Sequence, residues 1–419
     1  MSRHGLVFII FTLSGAAGLI YEVVWSRQLV LVFGNTTQAV SAILTGFFGG
    51  MAIGSVFGGR IADWTRRPLR LYGLLELMLV VVVLFTPVTF LLIHDVYRGA
   101  FNVLLASPRL LALVRFGLSL LALGPATILM GATLPTLTRY LSRKASDLSS
   151  AFGWLYAVNT VGGILGTIMA GFVLIELLGL SGALRVGAAC SASAGIIALL
   201  LDYRRGSATA AAEPDSLPAS GAHAQANTAP RPRRRIGLAL LVAFISGLTS
   251  LGYQVLWTRL LASGTGNSTY VFTTILEFFL LGLALGAVAF TILRTWIPAI
   301  NLVAIGQIVV ALLVLLGMGL VISHGANATV GNGINIIGNL SITALEVVLP
   351  ATFVLGMIFP ASSALIDDSN GRVGSNSGLL LSANTLGSIT GTFVIPFVVI
   401  PLVGSSTALG LLALLNLGT

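Results

Sequence analysis

The chain has 419 residues, of which 56% are hydrophobic and only 8% charged, with 49 glycines besides. A soluble domain carries roughly 25% charged residues, so a soluble fold of this size is excluded and the chain is solvated largely by lipid. The net charge of +9 does not mark a nucleic-acid binder, because the 21 arginines and one lysine sit mostly in short loops between apolar runs, as topology determinants do.

A spanning helix needs about 20 apolar residues, and the first half holds six apolar runs, near 6–33, 38–62, 70–93, 110–140, 148–177 and 181–201. Arg3 ahead of the first run imitates a signal peptide, but the run is too long and recurs in mid-chain. Within it Gly15, Gly18, Glu22 and Trp25 share one helical face, and glycines there admit a close neighbouring helix. Glu22 is costly at membrane depth unless it meets water, a proton or a cation. It reads either as a cation or proton site or as a hydrogen-bonded packing residue. Tyr21 offers a hydroxyl or an aromatic wall for a cation, or plain packing. Arg27 either snorkels to headgroups or pairs with Glu22 or Glu76. Gly34-Asn35-Thr36-Thr37 reads as a helix stop followed by a helix start. Glu76 in the third run is a second intramembrane acid and a candidate proton relay, and Arg115 in the fourth is a base able to neutralise an acid. Asn159 in the fifth suits interhelical hydrogen bonding. Glu176 lies near a span end, where solvation is easier.

The polar stretch 202–235 separates this six-helix unit, 1–201, from a second, 236–419. Its middle is rich in Ala, Ser, Pro and Gly and reads as a flexible linker. It closes on Arg231, Arg233, Arg234 and Arg235, placed to meet anionic headgroups. Six more runs follow near 236–263, 269–293, 299–323, 336–365, 375–402 and 405–419. Glu277 in the eighth is another intramembrane acid, Glu346 lies near a span end, and Asn384 matches the role of Asn159. Loop charge sets the orientation. Arg3, Arg60, Arg66, Arg67, Arg70, Arg139, Arg143, Lys144, Arg204, Arg205, the four linker arginines, Arg294 and Arg372 share one side. Only Arg98 and Arg109 occupy the other. Both termini and the linker are therefore expected in the cytoplasm.

The two halves repeat each other. Tyr21-Glu22-Val23-Val24-Trp25-Ser26-Arg27 matches Tyr253-Gln254-Val255-Leu256-Trp257-Thr258-Arg259, and Gly50 and Gly54 match Gly282 and Gly286, all at an offset of 232. Beyond the third run the offset becomes 225. Gly131 and Pro135 match Gly356 and Pro360, and Asn159-Thr160 and Gly162 match Asn384-Thr385 and Gly387. At the acid of the first copy the second copy has an amide, so the halves differ in charge at equivalent positions. Six helices is an even number, so both copies enter the membrane from the same side. Parallel six-helix repeats are the arrangement of the major facilitator superfamily. The expected fold is all-α and polytopic, with twelve transmembrane helices. By analogy with that fold, the first, fourth, seventh and tenth line a path between the halves.

Gly59-Arg60-Ile61-Ala62-Asp63-Trp64-Thr65-Arg66-Arg67 resembles the superfamily's cytoplasmic loop motif, without its usual glycine between the acid and the basic pair. The resemblance implies that Asp63 caps a helix end and pairs with arginine, stabilising one access state. The segments Ser14 to Arg27 and Ser246 to Arg259, with Gly50-Met51-Ala52-Ile53-Gly54 and Gly282-Leu283-Ala284-Leu285-Gly286, resemble the membrane portion of bacterial fused major facilitator/spermidine synthase-like proteins. That likeness implies an inner-membrane transporter of a small polar or cationic metabolite related to polyamines. The alternative is a membrane anchor for an aminopropyltransferase-like domain that family members carry and this chain lacks. Against the sixth run the twelfth is about a third short, which suggests a piece of a longer protein.

Candidate contacts for solute or proton are Tyr21, Glu22, Trp25 and Glu76 in the first half and Tyr253, Gln254, Trp257 and Glu277 in the second. Asp63, Arg66, Arg67, Asn159 and Asn384 are gating or structural candidates. The lone Cys190 excludes an internal disulfide. His4, His94, His223 and His324 are scattered, and no phosphate loop, dinucleotide fingerprint, zinc signature or hydrolase elbow occurs. Neither a metal, a cofactor nor a catalytic group is expected in this chain.

Overall fold

An apolar segment in lipid must satisfy its backbone hydrogen bonds within itself, which makes it helical. The computed structural model describes residues 3–34, 37–104, 107–142, 148–210, 234–262, 269–324, 333–366 and 372–419. Its helices are α1 (Arg3–Phe33), α2 (Thr37–Trp64), α3 (Pro68–Leu104), α4 (Pro108–Leu141), α5 (Leu148–Ile168), α6 (Ile175–Ala210), α7 (Arg234–Ala262), α8 (Thr269–Leu293), α9 (Ala299–His324), α10 (Gly333–Ser363), α11 (Val373–Val394) and α12 (Ile400–Leu417). Short π-helical segments, Met169–Leu174 and Ile395–Val399, follow α5 and α11.

Ten continuous segments among the described residues are long and apolar enough to cross a membrane. Two are far longer than a bilayer needs, Leu148–Arg204 with 57 residues and Val373–Leu417 with 45. Each breaks at a glycine, Gly179 (φ 69°, ψ −179°) and Gly404 (φ 81°, ψ 169°). That backbone region is essentially closed to residues with a Cβ. Beyond Gly179 the chain turns back. Gly166 in α5 packs on Ala16, Gly187 in α6 on Tyr21, and Gly195 beside Gly73 and Glu76.

Helix ends depart from the hydropathy boundaries most at α3, which continues from the run near 70–93 to Leu104, and at α6. Beyond the sixth apolar run α6 continues to Ala210, and Asp202 is buried beside Arg67 (3.7 Å). Residues 211–233 of the linker, Arg143, Lys144, Asn35, Thr36 and the second copy's 266–268 lie outside the described residues. Gly34 stops α1 as expected, at φ 88°.

The contacts order eight helices into a closed ring, α1–α5–α8–α10–α7–α11–α2–α4. Outside it, α3 and α6 back the first half, and α9 and α12 back the second. Two apolar clusters each belong to one half, one built around Trp25, Phe47 and Tyr97 and the other around Trp257, Phe279 and Leu409. A third is shared by both. It joins Phe11, Tyr72, Leu137, Phe152 and Ala194 to Ala239, Phe359, Ile366 and Leu380. All of these lie toward the face that carries the start of α1 and the ends of α2 and α8, hereafter the arginine-rich face. The halves are thus sealed together at that face and have separate interiors toward the other.

Candidate functional site

Contact for contact, the second half repeats the first. Asn159 donates an amide N–H to the Phe11 carbonyl (3.5 Å), and Asn384 donates to the Ala243 carbonyl (3.1 Å). These are equivalent positions under the two offsets. Gly15 meets the Asn159 backbone as Gly247 meets that of Asn384, and Gly54 meets Ile128 as Gly286 meets Phe353. A Cβ at any of these glycines would collide with backbone, so α1–α5, α7–α11, α2–α4 and α8–α10 approach as closely as main chains can. Asn159 and Asn384 tie those pairs together.

These contacts fix which way each residue of α1 points. Gly15 and Leu19 face α5, Tyr21 faces α6, Ser14 and Trp25 face α3, and Gly18 faces Met130 of α4. Glu22 falls between the directions of Gly15 and Gly18. It therefore points between α5 and α4, into the ring, and it is partly exposed. Gln254 holds the same place on α7 and is also partly exposed.

The conspicuous aromatic residues of the repeat lie elsewhere. Tyr21 and Trp25 are buried and stacked at 5.3 Å inside the first half. Tyr21 donates to Ser191 (3.3 Å), and the Trp25 indole N–H donates to Thr86 (3.2 Å). Tyr253 and Trp257 are equally buried in the second half, where the Asn416 amide donates to the Tyr253 hydroxyl (2.9 Å). The four rings fasten α1 and α7 to the outer helices and do not face the gap. Ser191 and Asn416 were not singled out by sequence, although they too are equivalent positions.

Glu76 is also away from the ring interior. It is fully buried between α3, α1 and α6, where Ser14 donates to one carboxyl oxygen (2.5 Å) and the Ser191 and Tyr72 hydroxyls stand close to the carboxyl. Tyr72, one turn away, donates to the Ile10 carbonyl (3.3 Å). At the matching depth on α9 stands Gln307, buried, with neither amide atom hydrogen-bonded. A lone glutamine in so apolar a run was a legible signal that the sequence reading passed over. Arg115 meets no described carboxylate. Its Nε donates to the Tyr97 hydroxyl (2.9 Å) and its guanidinium lies 5.8 Å from that ring. Glu277 lies on α8, half-buried at the junction with α5. Glu176, Glu346 and Arg259 are exposed.

The seal at the arginine-rich face has an ionic centre. Asp63, at the end of α2, accepts hydrogen bonds from the Gly374 N–H (2.8 Å), the Ser375 N–H (2.7 Å) and the Ser375 hydroxyl (2.6 Å). These groups open α11, whose unpaired amides and positive dipole end favour a carboxylate. Arg139 of α4 stands 3.5 Å from the same carboxylate. Of the two loop arginines, Arg67 pairs with Asp202 and Arg66 is exposed. Across the other junction, Arg294 of α8 donates to Ser149 of α5 (2.6 Å). Phe359 of α10 packs its ring on Phe152 and Tyr156 of α5. Nothing in sequence pointed to Ser375, because its role depends on where α2 ends in space. Among the described residues no group of three or more His, Cys, Asp or Glu side chains gathers as metal ligands.

No protein-family model and no curated protein matches the chain. Solved structures do. The chain is similar to a major facilitator superfamily transporter, FucP, in the outward conformation, with a TM-score of 0.58 and 15% identity, covering 99% of this chain and 96% of that one. It is similar to a bacterial homologue of the iron transporter ferroportin in an outward-facing state, at TM-score 0.60 and 13% identity over 100% and 96%. It is also similar to the human organic anion transporter MFSD10, at TM-score 0.63 and 14% identity over 100% and 98%. With the ring order, the internal duplication and the one-sided seal, these likenesses establish that this polytopic membrane protein has the major facilitator superfamily fold.

Proposed function

We propose that the chain is a twelve-pass inner-membrane transporter that moves a small polar or cationic solute by alternating access. The count of twelve takes the glycine breaks at 179 and 404 as the reversals between paired spans. The arginine-rich face is the cytoplasmic one, so the conformation described is outward-facing, with the cytoplasmic side held shut by the shared cluster and by Asp63. Rocking of one half against the other releases that seal and closes the opposite side. The observation that carries the reading is Glu22. It is a carboxyl aimed into the ring between two halves that join at one end only, and its equivalent is the neutral Gln254. One charged and one neutral wall suit a solute with a positively charged group and a hydrogen-bonding remainder. The resemblance in the Tyr-Glu-x-x-Trp-x-Arg segment is what points to the polyamine class.

The test is flux of labelled polyamines in proteoliposomes containing the full chain, with an imposed pH gradient. Saturable transport is expected. Glu22→Gln should lower it at least about tenfold, the loss expected for one charged hydrogen-bonding contact. Flux that is indifferent to Glu22→Gln removes this carboxyl from the solute path.

A further inference from the structure

Helices α5 and α8 meet across the halves in a single antiparallel register. Gly171 lies against Thr273 toward the outer face, and Gly153 lies against Thr291 near the arginine-rich face. One turn inward from the first contact on each helix, Thr167 comes opposite Glu277, and counting from the second contact gives the same pair. Thr167 and Thr273 are 0% and 1% exposed. Their hydroxyl oxygens have no hydrogen-bond partner, and neither has Oε1 of Glu277. This is unusual for a helical threonine in the membrane, which donates to the carbonyl one turn back. Thr160 does so to Tyr156 (2.8 Å), and Thr392, the counterpart of Thr167 in the second half, does so to Ser388 (2.9 Å). Three oxygens thus stand without partners where α5 loosens into the π-helical segment Met169–Leu174, a kind of irregularity common at functional sites.

Charge around this place is sparse. Neither α5 nor the π-helical segment carries a charged residue, and Tyr156 lies near the arginine-rich end. Glu277 is the only charged residue of α8, and the next along the chain is Arg294, just past its end. Glu346 of α10 and Arg259 of α7 are exposed. A half-buried carboxylate at membrane depth between two helices, with no cation beside it, is costly.

We propose that Thr167, Thr273 and Glu277 bind one small monovalent cation, Na+ or H+, at the α5–α8 junction, and that the junction closes around it. Hard oxygen ligands suit Na+, and a proton on Glu277 would instead donate to the Thr167 hydroxyl. The site is separate from Glu22. Its role in coupling rests on the transporter reading above, whereas its occupancy does not.

The experiment is thermal unfolding of the full chain in nanodiscs, titrated with NaCl against choline chloride at fixed pH, and with acid in choline alone. The wild-type midpoint should rise by about 2–4 °C in one arm, which identifies the ion. Glu277→Gln should be flat in that arm. Thr167→Val should need at least tenfold more of the same cation, and it decides the question if Glu277→Gln does not fold. Glu22→Gln should keep the full response. A wild-type protein with no response in either arm, or an equal response in Glu277→Gln or Thr167→Val, overturns the site. Flux that is unaffected by Glu22→Gln, alongside an intact cation response, sinks the solute reading alone.

Discussion

Glu22 and Glu76 differ in depth and in company, since Glu76 lies level with Ser14, about two turns nearer the arginine-rich face. Glu22 looks into the ring, whereas Glu76 is enclosed behind α1 with Ser14 as its donor. The second half performs a natural substitution at both places, with Gln254 and Gln307. An amide is therefore compatible with the packing around either position. Glu76→Gln should fold, with stability within about 1 kcal/mol of the wild type, since its carbonyl still accepts from Ser14. Ser14→Ala should cost more, about 1–3 kcal/mol, by removing the short hydrogen bond that a buried carboxyl accepts. Denaturation of the two variants in matched detergent tests the order. A reversed order would mean that the Glu76 charge itself is required. The sequence made Tyr21, Trp25, Tyr253 and Trp257 prominent because they repeat. Repetition marked what the two halves share, which is internal packing. The informative positions are those where the repeat fails, such as Glu22 against Gln254 and Asp63, which has no acid in the corresponding stretch of the second half.

At the scale of elements, α2 and α11 show how one residue joins two halves. Asp63 fills the open amide end of α11 with three hydrogen bonds, and a charged acceptor there contributes about 1.5–3 kcal/mol. Asp63→Asn should shift the population toward release of the arginine-rich face by about tenfold or more. A cysteine replacing Ser377, buried on α11 in the same seam, should then react correspondingly faster with a water-soluble maleimide when Cys190 is removed. An unchanged rate would leave the apolar cluster as the real seal. The helix starts and stops were largely legible, since apolar runs end at Gly179 and Gly404, where the backbone reverses. Helix orientation was not. A helix surrounded on every side has no polar stripe to reveal its facing, so the direction of Glu22 had to come from the contacts of its neighbours. The opposition of Thr167 and Glu277 depends on a register between distant segments, which no local pattern encodes.

For the whole molecule, the decisive feature is that apolar burial is divided inside each half toward the face opposite the arginines and common to both at the arginine-rich face. Each half is internally locked by main chain against main chain, whereas between the halves α2 and α11 meet so closely only near the arginine-rich face, at Gly59, Gly374 and Gly378, so motion should occur between halves and hardly at all within them. Spin labels at Leu31 and Leu177, both exposed in the first half, should keep one distance under all conditions. Labels at Leu31 and Leu402, in opposite halves, should report two distances whose weights move with solute or cation. Broad variation in the first pair would contradict rigid halves. The duplication, the parallel insertion and the fold class were all present in glycine spacing and loop charge. Which end was shut was not, because it depends on the relative energies of two arrangements of the same contacts. The grip of Asp63 has a further mechanical implication. It fastens only one of two equivalent edges, and among the described residues its polar counterpart near that face on the α5–α8 side is one arginine-to-serine hydrogen bond, beside the packing of Phe359 on Phe152 and Tyr156. The molecule should accordingly swing like a door hung along α2 and α11, parting first at its lightly held opposite edge.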